Sequence, residues 1–524
     1  MIVQTEHQLA LSLNYKNIFD FINEKFGKCY SNEEYYRKVD LWLRMYQGYV
    51  KEHHDITVNN GVSTTTRISS RLDMASQVAS DWMKCLVADK PIITVAGKNQ
   101  STSRFVQGAK GNGGVLNSNN FYKLFTEAVE RAFALGTASL VLGVEQNPVD
   151  KSYKIDINEY NANAIIPIEY KAGEITECAF LSEFYKEGKK HFNLSCHVKD
   201  EAGNYLIYNF ESGDDLKFNS YLNKSVEPFV TQSKNPFFFI IAPVAANKID
   251  LNSPMGMSCY AEAVDIVLNC DYFYDALKMD VLTGQRIILM HKSLMGRDET
   301  GKLIPPQDIK KYFMAYTGDE MMVDDKGNPS AIKDFTPKLN TQELCDTIQQ
   351  NLNLLSMRCG LGNQYYHFDK VSGVTATEVL SSNMDLVRSV RVNSEMLVNV
   401  ITALIKQIIW IGRNTLGYTD LAEDAKISVL IPDGVVTDDH AEKEQDRQDV
   451  AAGIMSKAEF RAKWYGETLE DAQKKIDEMS DTNKEANNAS KDSTKDESNP
   501  NEDKQKTEEN ISESGNEGIQ SQTE

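Results

Sequence analysis

The stretch "MLVNVITALIKQIIWI", Met396–Ile411, limits what this chain can fold into more than any other. It closes a helical pattern that runs from Ala376 to about Leu416, which at 1.5 Å per residue would span roughly 60 Å. The first half is amphipathic, with Val379, Leu386, Val387, Val390 and Leu397 on one side and Asp385, Arg388 and Arg391 off it. The second half is apolar nearly all round, and such a helix must be buried on more than one side. The pattern favours packing between neighbouring subunits, with Ile401, Leu404 and Ile408 expected at that contact. The alternative is the central core helix of a monomer. A membrane span needs about 20 apolar residues. The window is shorter and holds Asn399, Lys406 and Gln407, so it reads as a buried helix.

Ahead of this helix lies "GLGNQYYHFDKVSGV", an aromatic, glycine-broken loop. Thr375-Ala-Thr-Glu378 has the form of a capping box, in which the Thr hydroxyl and the Glu carboxylate each satisfy a free backbone N–H. The box anchors one end of the loop, and Gly360, at the stop of the preceding helix, marks the other.

A chain of 524 residues with 41% hydrophobic content can bury sizeable cores. The net charge of −20 excludes a protein that wraps nucleic acid through a basic surface, though not one that DNA merely passes. The opening "MIVQTEHQLALSLNYKNIFDF" has neither a basic start nor a continuous apolar core, so no secretory signal is expected. The eight cysteines form no Cys-x-x-Cys pair and are expected to be reduced. Cys178, His191, Cys196 and His197 lie close in sequence, but their spacing fits no zinc pattern. No metal and no cofactor is expected.

Residues 12–55 and 67–88 read as helical, followed by a strand at "KPIITVAG". "GAKGNGGVLNSNN" reads as a flexible connection. "NNFYKLFTEAVERAFALG" is an amphipathic helix, with Asn119 or Asn120 as cap and Gly136 as stop. "TASLVLGVEQ" reads as a strand, and from Tyr153 to Phe210 the period is two, a β-rich meander with turns at "KAGE" and "KDEAGNY". Another strand lies at "NPFFFIIAPV". Helices at Met257 to about Leu282 and at "NTQELCDTIQQNLNLLSMRCG" flank a small α/β insert, in which "PPQDIKKYFMAY" reads as a short helix. "AKISVLIPDG" is a strand, and 438–479 read as two helices with a turn near Gly453. From Ser480 the chain is polar and poor in apolar residues, the composition of a disordered tail.

No catalytic constellation stands out. The Gly-Lys pairs at Gly27, Gly97, Gly188 and Gly301 lack a following Ser or Thr, and there is no Gly-x-Ser-x-Gly, His-Glu-x-x-His or EF-hand loop. Asp438-Asp439-His440 reads as a helix start, and His53-His54 as a solvated pair.

Three phrases, in order, carry a resemblance. They are "AANKIDLNSPMGMSCYAEAVDIV", "SGVTATEVLSSNMDLVRSV" and "EKEQDRQDVAAGIMSKAEFRAKWYGETLEDAQKKI". Over about residues 12–480 the chain resembles the portal proteins of tailed bacteriophages, in particular long-tailed phages of Gram-positive hosts. The resemblance implies a mainly helical α+β fold, an elongated subunit with wing, stem, clip and crown in a ring of about twelve copies. It implies a wing at 1–252, stem helices at 253–285 and 339–359, and a clip at 286–338. It further implies a tunnel loop at 360–375, a long wing helix at 376–419, a crown at 420–479 and an acidic tail at 480–524. The ring would sit at one capsid vertex of the virion, after assembly in the host cytoplasm. It would nucleate the shell with the major capsid and scaffold proteins, dock the terminase large subunit, and later hold the head-tail adaptor. Double-stranded DNA would pass through it without sequence specificity. Some of Tyr366, His367, Asp369 and Lys370 are expected to project toward the duplex; the alternative is that Tyr365, Tyr366 and Phe368 pack back on the wing. The competing readings are another head-vertex protein, such as an adaptor or minor capsid component, an enzyme of the packaging machine, and a cellular helical scaffold. The missing phosphate-binding loop argues against the enzyme.

Overall fold

The computed structural model describes residues 7–59, 63–96, 100–108, 113–146, 153–213, 216, 218, 227–284, 287–291, 294, 296–297, 299–301, 303–304, 313–316, 322–323, 329–335, 338–362, 365–366, 384–422, 424–432, 439–465 and 472–477. The chain divides into two units, one running to Val436 and the other from Thr437.

The first unit opens with α1 (His7–Phe26), α2 (Glu33–Tyr46) and α3 (Lys51–His54). The continuous helical reading of 12–55 is therefore broken twice, and Gly27 and Gly48 at positive φ supply the chain reversals. A hairpin of β1 (Asp55–Asn59) and β2 (Thr64–Ile68) leads to α4 (Met74–Val87). The helix expected over 67–88 thus starts only at Met74; Arg67 and Ile68 are strand. Then come β3 (Ile92–Ala96), α5 (Ser101–Gln107), α6 (Gly114–Ser118) and α7 (Phe121–Leu135). Trp42, Tyr35 and Tyr36 of α2 and Phe121, Phe125 and Phe133 of α7 are fully buried at the centre of this layer. Gly136 ends α7 as expected, at φ +89°. Neither asparagine caps the helix through its side chain. Asn120 sits at the cap position without such a bond. Asn119 instead donates to the Val115 and Ile155 carbonyls and accepts from the Ile157 N–H, each at 2.8–3.1 Å.

The expected meander forms two sheets. β4 (Ala138–Gln146) lies between β5 (Tyr153–Asn161) and the later strand Phe238–Ile241. β6 (Ile165–Lys171), β7 (Glu174–Lys186), β8 (Lys189–Lys199), β9 (Tyr205–Ser212) and β10 (Phe229–Val230) form an antiparallel sheet in chain order. Phe238–Ile241 is β11. The β6–β7 and β7–β8 turns each place both central residues at positive φ (Ala172-Gly173 and Glu187-Gly188). That geometry matches the twist of the paired strands. Pro167 falls beside a register shift, where the missing N–H costs no ladder bond.

The two flanking helices are α8 (Val264–Thr283) and α9 (Thr341–Arg358); the first, expected from Met257, starts only at Val264, after a turn of 3-10 helix at Ala261–Ala263. Between them are β12 (Ile287–His291), β13 (Gly296–Arg297), β14 (Leu303–Ile304), β15 (Phe313–Tyr316), β16 (Met322–Val323), β17 (Pro329–Ser330) and β18 (Ile332–Phe335). β12 pairs parallel with β15 and antiparallel with β18. The end of "PPQDIKKYFMAY" is therefore strand, not helix: Phe313–Tyr316 takes the edge of this sheet, and residues 305–312 lie outside the described residues.

α10 (Met384–Asn414) is the long helix; the expected portion before Met384 and the capping box lie outside the described residues. β19 (Lys426–Leu430) pairs antiparallel with β3, Leu430 opposite Ile92 and Lys426 opposite Ala96. The strand expected to open the region from 420 is thus joined to the N-terminal region and lies in the first unit.

In the second unit, α11 (Asp439–Ala451) and α12 (Lys457–Tyr465) are joined by a turn with Gly453 at φ +75°. Ser456 and Glu459 form a capping box. The Glu459 N–H donates to Ser456 Oγ (3.1 Å), and Glu459 Oε2 accepts from the Ser456 N–H (2.8 Å). Asp446 ties the helices together, accepting from Trp464 Nε1 (2.8 Å) and pairing with Lys463 (2.6 Å).

Two sites give stability predictions. An added Cβ at Gly136 would lie 2.7 Å from the Gly256 carbonyl oxygen, where the end of α7 crosses the lead-in to α8. Gly136→Ala is expected to cost about 2–4 kcal/mol, through overpacking and the positive φ together, seen as a lowered urea midpoint. His197, on β8, is buried against Phe180 and Phe238, and burial pushes its imidazole down to about 3. The unfolded chain therefore takes up a proton below about pH 6.5 that the folded chain refuses. The stability His197 contributes is complete above that pH and is lost as pH falls toward about 3. Between pH 7 and 4.5, His197→Gln should lose about 2–3 kcal/mol less than the parent, measured by urea unfolding at fixed protein concentration.

Candidate functional site

The site is the base of the α8/α9 pair, where the chain leaves α9 toward α10. α8 is seated first. Gly256 donates its N–H to Thr137 Oγ1 (3.0 Å) and its carbonyl accepts from Tyr35 Oη (2.8 Å). The Cys259 N–H donates to the Phe133 carbonyl (2.8 Å), and Tyr260 Oη donates to the Trp42 carbonyl (2.9 Å).

Two buried carboxylates one turn apart on α8 then grip the segment before α4. Asp271 Oδ1 accepts from the Leu72 and Asp73 N–H groups (2.6 and 3.2 Å), and Oδ2 lies 3.1 Å from His54 Nε2. Asp275 takes both Arg67 nitrogens (2.9 and 2.6 Å) and the Ser70 N–H (2.8 Å). The Arg67 guanidinium holds the Asp275 carboxyl below the usual range. His54 Nδ1 accepts from the Val50 N–H (2.8 Å), and His53 Nε2 lies 3.0 Å from the Leu268 carbonyl. The solvated reading of His53-His54 is thus corrected: His54 is buried and both rings contact α8 or its clamp.

α9 is tied to α8 by Asn351, which donates to the Ile266 carbonyl (2.9 Å) and Cys270 Sγ (3.1 Å), and by the Asn340 N–H on Asp280 (2.8 Å). α9 ends at Gly360, φ +75°, where an added Cβ would lie 3.3 Å from the Trp82 ring. Trp82 Nε1 donates to the Cys359 carbonyl (2.9 Å). Tyr366 Oη donates to Asp81 Oδ2 (3.0 Å), and its phenol pKa is pushed far up by burial and by that carboxylate.

Of the loop residues expected to face DNA, Tyr366 is corrected: it is packed back on α4 and α9 with its hydroxyl spent on Asp81. His367, Asp369 and Lys370 lie outside the described residues, as do Thr375 and Glu378. The contact assigned to Ile401, Leu404 and Ile408 is also corrected. All three are fully buried within the single subunit, where α10 packs on α4, α5, β11 and β19, so no surface remains for a neighbour. Among the described residues one helical stretch, Leu386–Asn414, is long and apolar enough to cross a membrane. Its two buried polar side chains are paired inside the fold: Gln407 with Ser233 (3.1 Å), and Asn393 with the Val244 N–H (2.9 Å).

Sequence reasoning missed Asp81, Asp271 and Asp275. The available signal for Asp271 and Asp275 was two aspartates at i and i+4 on one face of α8. Among the described residues no group of three His, Cys, Asp or Glu side chains is placed to hold a metal. Cys178 stands opposite His197 across β7 and β8, and burial pushes its thiol far up.

The helix pair leaves apolar side chains in water. Tyr272, Val281 and Leu282 of α8 and Leu354 and Met357 of α9 are each about half exposed, between 49% and 59%. The chain belongs to the phage portal protein family: the family model described as "Phage portal protein, SPP1 Gp6-like" matches residues 28–489. It is therefore a structural protein of the virion. No curated protein matches the chain. Among solved structures it is similar to a chain in the neck of the native gene transfer agent particle (13% identity, TM-score 0.35, covering 74% of this chain and 88% of that one). It is also similar to chains in the neck of the empty particle (12%, 0.36, 74% and 88%) and in the native virion (12%, 0.32, 74% and 87%).

Asp271→Ala would orphan two backbone N–H groups and a buried histidine. It is expected to lower stability by about 3 kcal/mol, whereas Asp271→Asn, which keeps an acceptor, should lose less than half of that. Urea unfolding of both variants checks the difference.

Proposed function

We propose that this chain forms a ring of about twelve copies at one vertex of the capsid, through which double-stranded DNA enters during packaging and leaves at ejection. Membership of the portal family across residues 28–489 carries this reading. The apolar flanks of α8 and α9 support it, since a closed ring covers them with the same helices of the next copy. The ring docks the terminase large subunit during packaging and the head-tail adaptor afterwards, and it nucleates the shell with the major capsid and scaffold proteins. It assembles in the host cytoplasm.

In this reading α8 and α9 are the stem and the strands between them the clip. The wing comprises 1–252, joined by β19 through its pairing with β3, and α10 crosses it as the long helix. α11 and α12 belong to the crown. The loop at 360–375 faces the bore, with His367, Asp369 and Lys370 as its DNA-facing residues. Their contacts with phosphate are transient and read no bases. The net charge of −20 suits a channel that must not hold its cargo, because a strongly basic bore would bind phosphates and resist sliding.

Electron microscopy of the purified protein should show rings; monomers or dimers alone would overturn the reading. A chain shortened between Gly362 and Ser372 should still form rings. In complementation of a portal-null phage it should package or retain less DNA. Wild-type DNA content would remove the loop from the channel.

A further inference from the structure

We infer that Asp81 is the positioning residue of the channel loop: by holding the Tyr366 hydroxyl, it sets the point at which the loop departs from the subunit body. This inference rests on the channel-loop reading of 360–375.

Asp81 sits on the inner side of α4 and is only 5% exposed. A buried carboxylate is costly unless its oxygens are satisfied, and here both are. Gln77 Nε2 lies 2.8 Å from each oxygen and Lys84 Nζ 2.9 Å from Oδ1. Both partners belong to α4 itself, one turn to either side, so they orient the carboxylate without linking it to anything else. Among the described residues, the bond from Tyr366 is the one that leaves the helix.

Every polar group of Tyr366 is used. Its N–H faces Ser356 Oγ (3.4 Å), its carbonyl accepts from Gln349 Nε2 (2.6 Å), and its hydroxyl donates to Asp81. The first two partners lie on α9 and the third on α4, so the residue pins the start of the loop to two helices. Tyr365 packs edge-on against it, with ring centroids 5.0 Å apart. Trp82 holds the Cys359 carbonyl just upstream. Asp81 and Trp82, neighbours on α4, thus grip the chain at Tyr366 and at Cys359.

The test compares Tyr366→Phe, Asp81→Leu and Asp81→Asn in the full-length protein, with rings confirmed by microscopy. Tyr366→Phe removes a single oxygen and keeps the ring packing, so it remains informative if Asp81→Leu fails to fold. Deuterium exchange of the segment 351–366 should rise about fivefold in Tyr366→Phe and at least as much in Asp81→Leu, and stay within about twofold of the parent in Asp81→Asn, which keeps an acceptor. Complementation of a portal-null phage should show encapsidated DNA reduced by the first two variants and restored by the third. Unchanged exchange in Tyr366→Phe would overturn the inference. So would raised exchange with wild-type DNA content, provided the Gly362–Ser372 shortening does lower DNA content. If the shortened loop also carries wild-type DNA, the channel-loop reading itself fails, and the positioning role falls with it.

Discussion

The structure depends on buried aspartates that accept hydrogen bonds from segments far away in the chain. Asp271 and Asp275 on α8 hold backbone and side chains from residues 54–73, and Asp81 on α4 holds Tyr366. Each carboxylate is expensive to bury, and each offsets that cost by satisfying several donors at once. Apolar contacts of the same area would bury more cheaply but would not fix direction. A helix pair that projects from a body needs direction at its base, because a small angular error there grows along a helix of about 30 Å.

A second constraint comes from the long helix α10. Most of its apolar side chains are buried by the subunit's own sheets and helices, and its two buried polar ones, Asn393 and Gln407, each have a partner. The helix therefore acts as the interior beam of the first unit. The exposed apolar side chains of α8 and α9 lie outside this core, on half-exposed flanks.

Much of the element order was legible in the sequence. α7, α8, α9, the strand at 138–146 and the two helices of the second unit follow from periodicity and glycine stops. The breaks in the first helical region were not, because Gly27 and Gly48 act through positive φ rather than through any loss of amphipathic pattern. The pairing of β19 with β3 was also hidden, since those strands are separated by more than three hundred residues and period-two alternation says nothing about partners.

The site divided in the same way. The sequence by itself determined that a loop rich in aromatics joins two helices, that the following helix is apolar all round, and that three phrases match the portal family. It could not say which side of Tyr366 meets water, nor whether Ile401, Leu404 and Ile408 face a neighbour or the subunit's own sheets. Both outcomes satisfy the same hydrophobic pattern, because burial depends on area removed from water and not on which chain removes it. Only the tertiary structure decided between them. It did so by placing Asp81 where a phenol could reach it, and β11 and β19 against the helix that sequence periodicity had assigned to a partner.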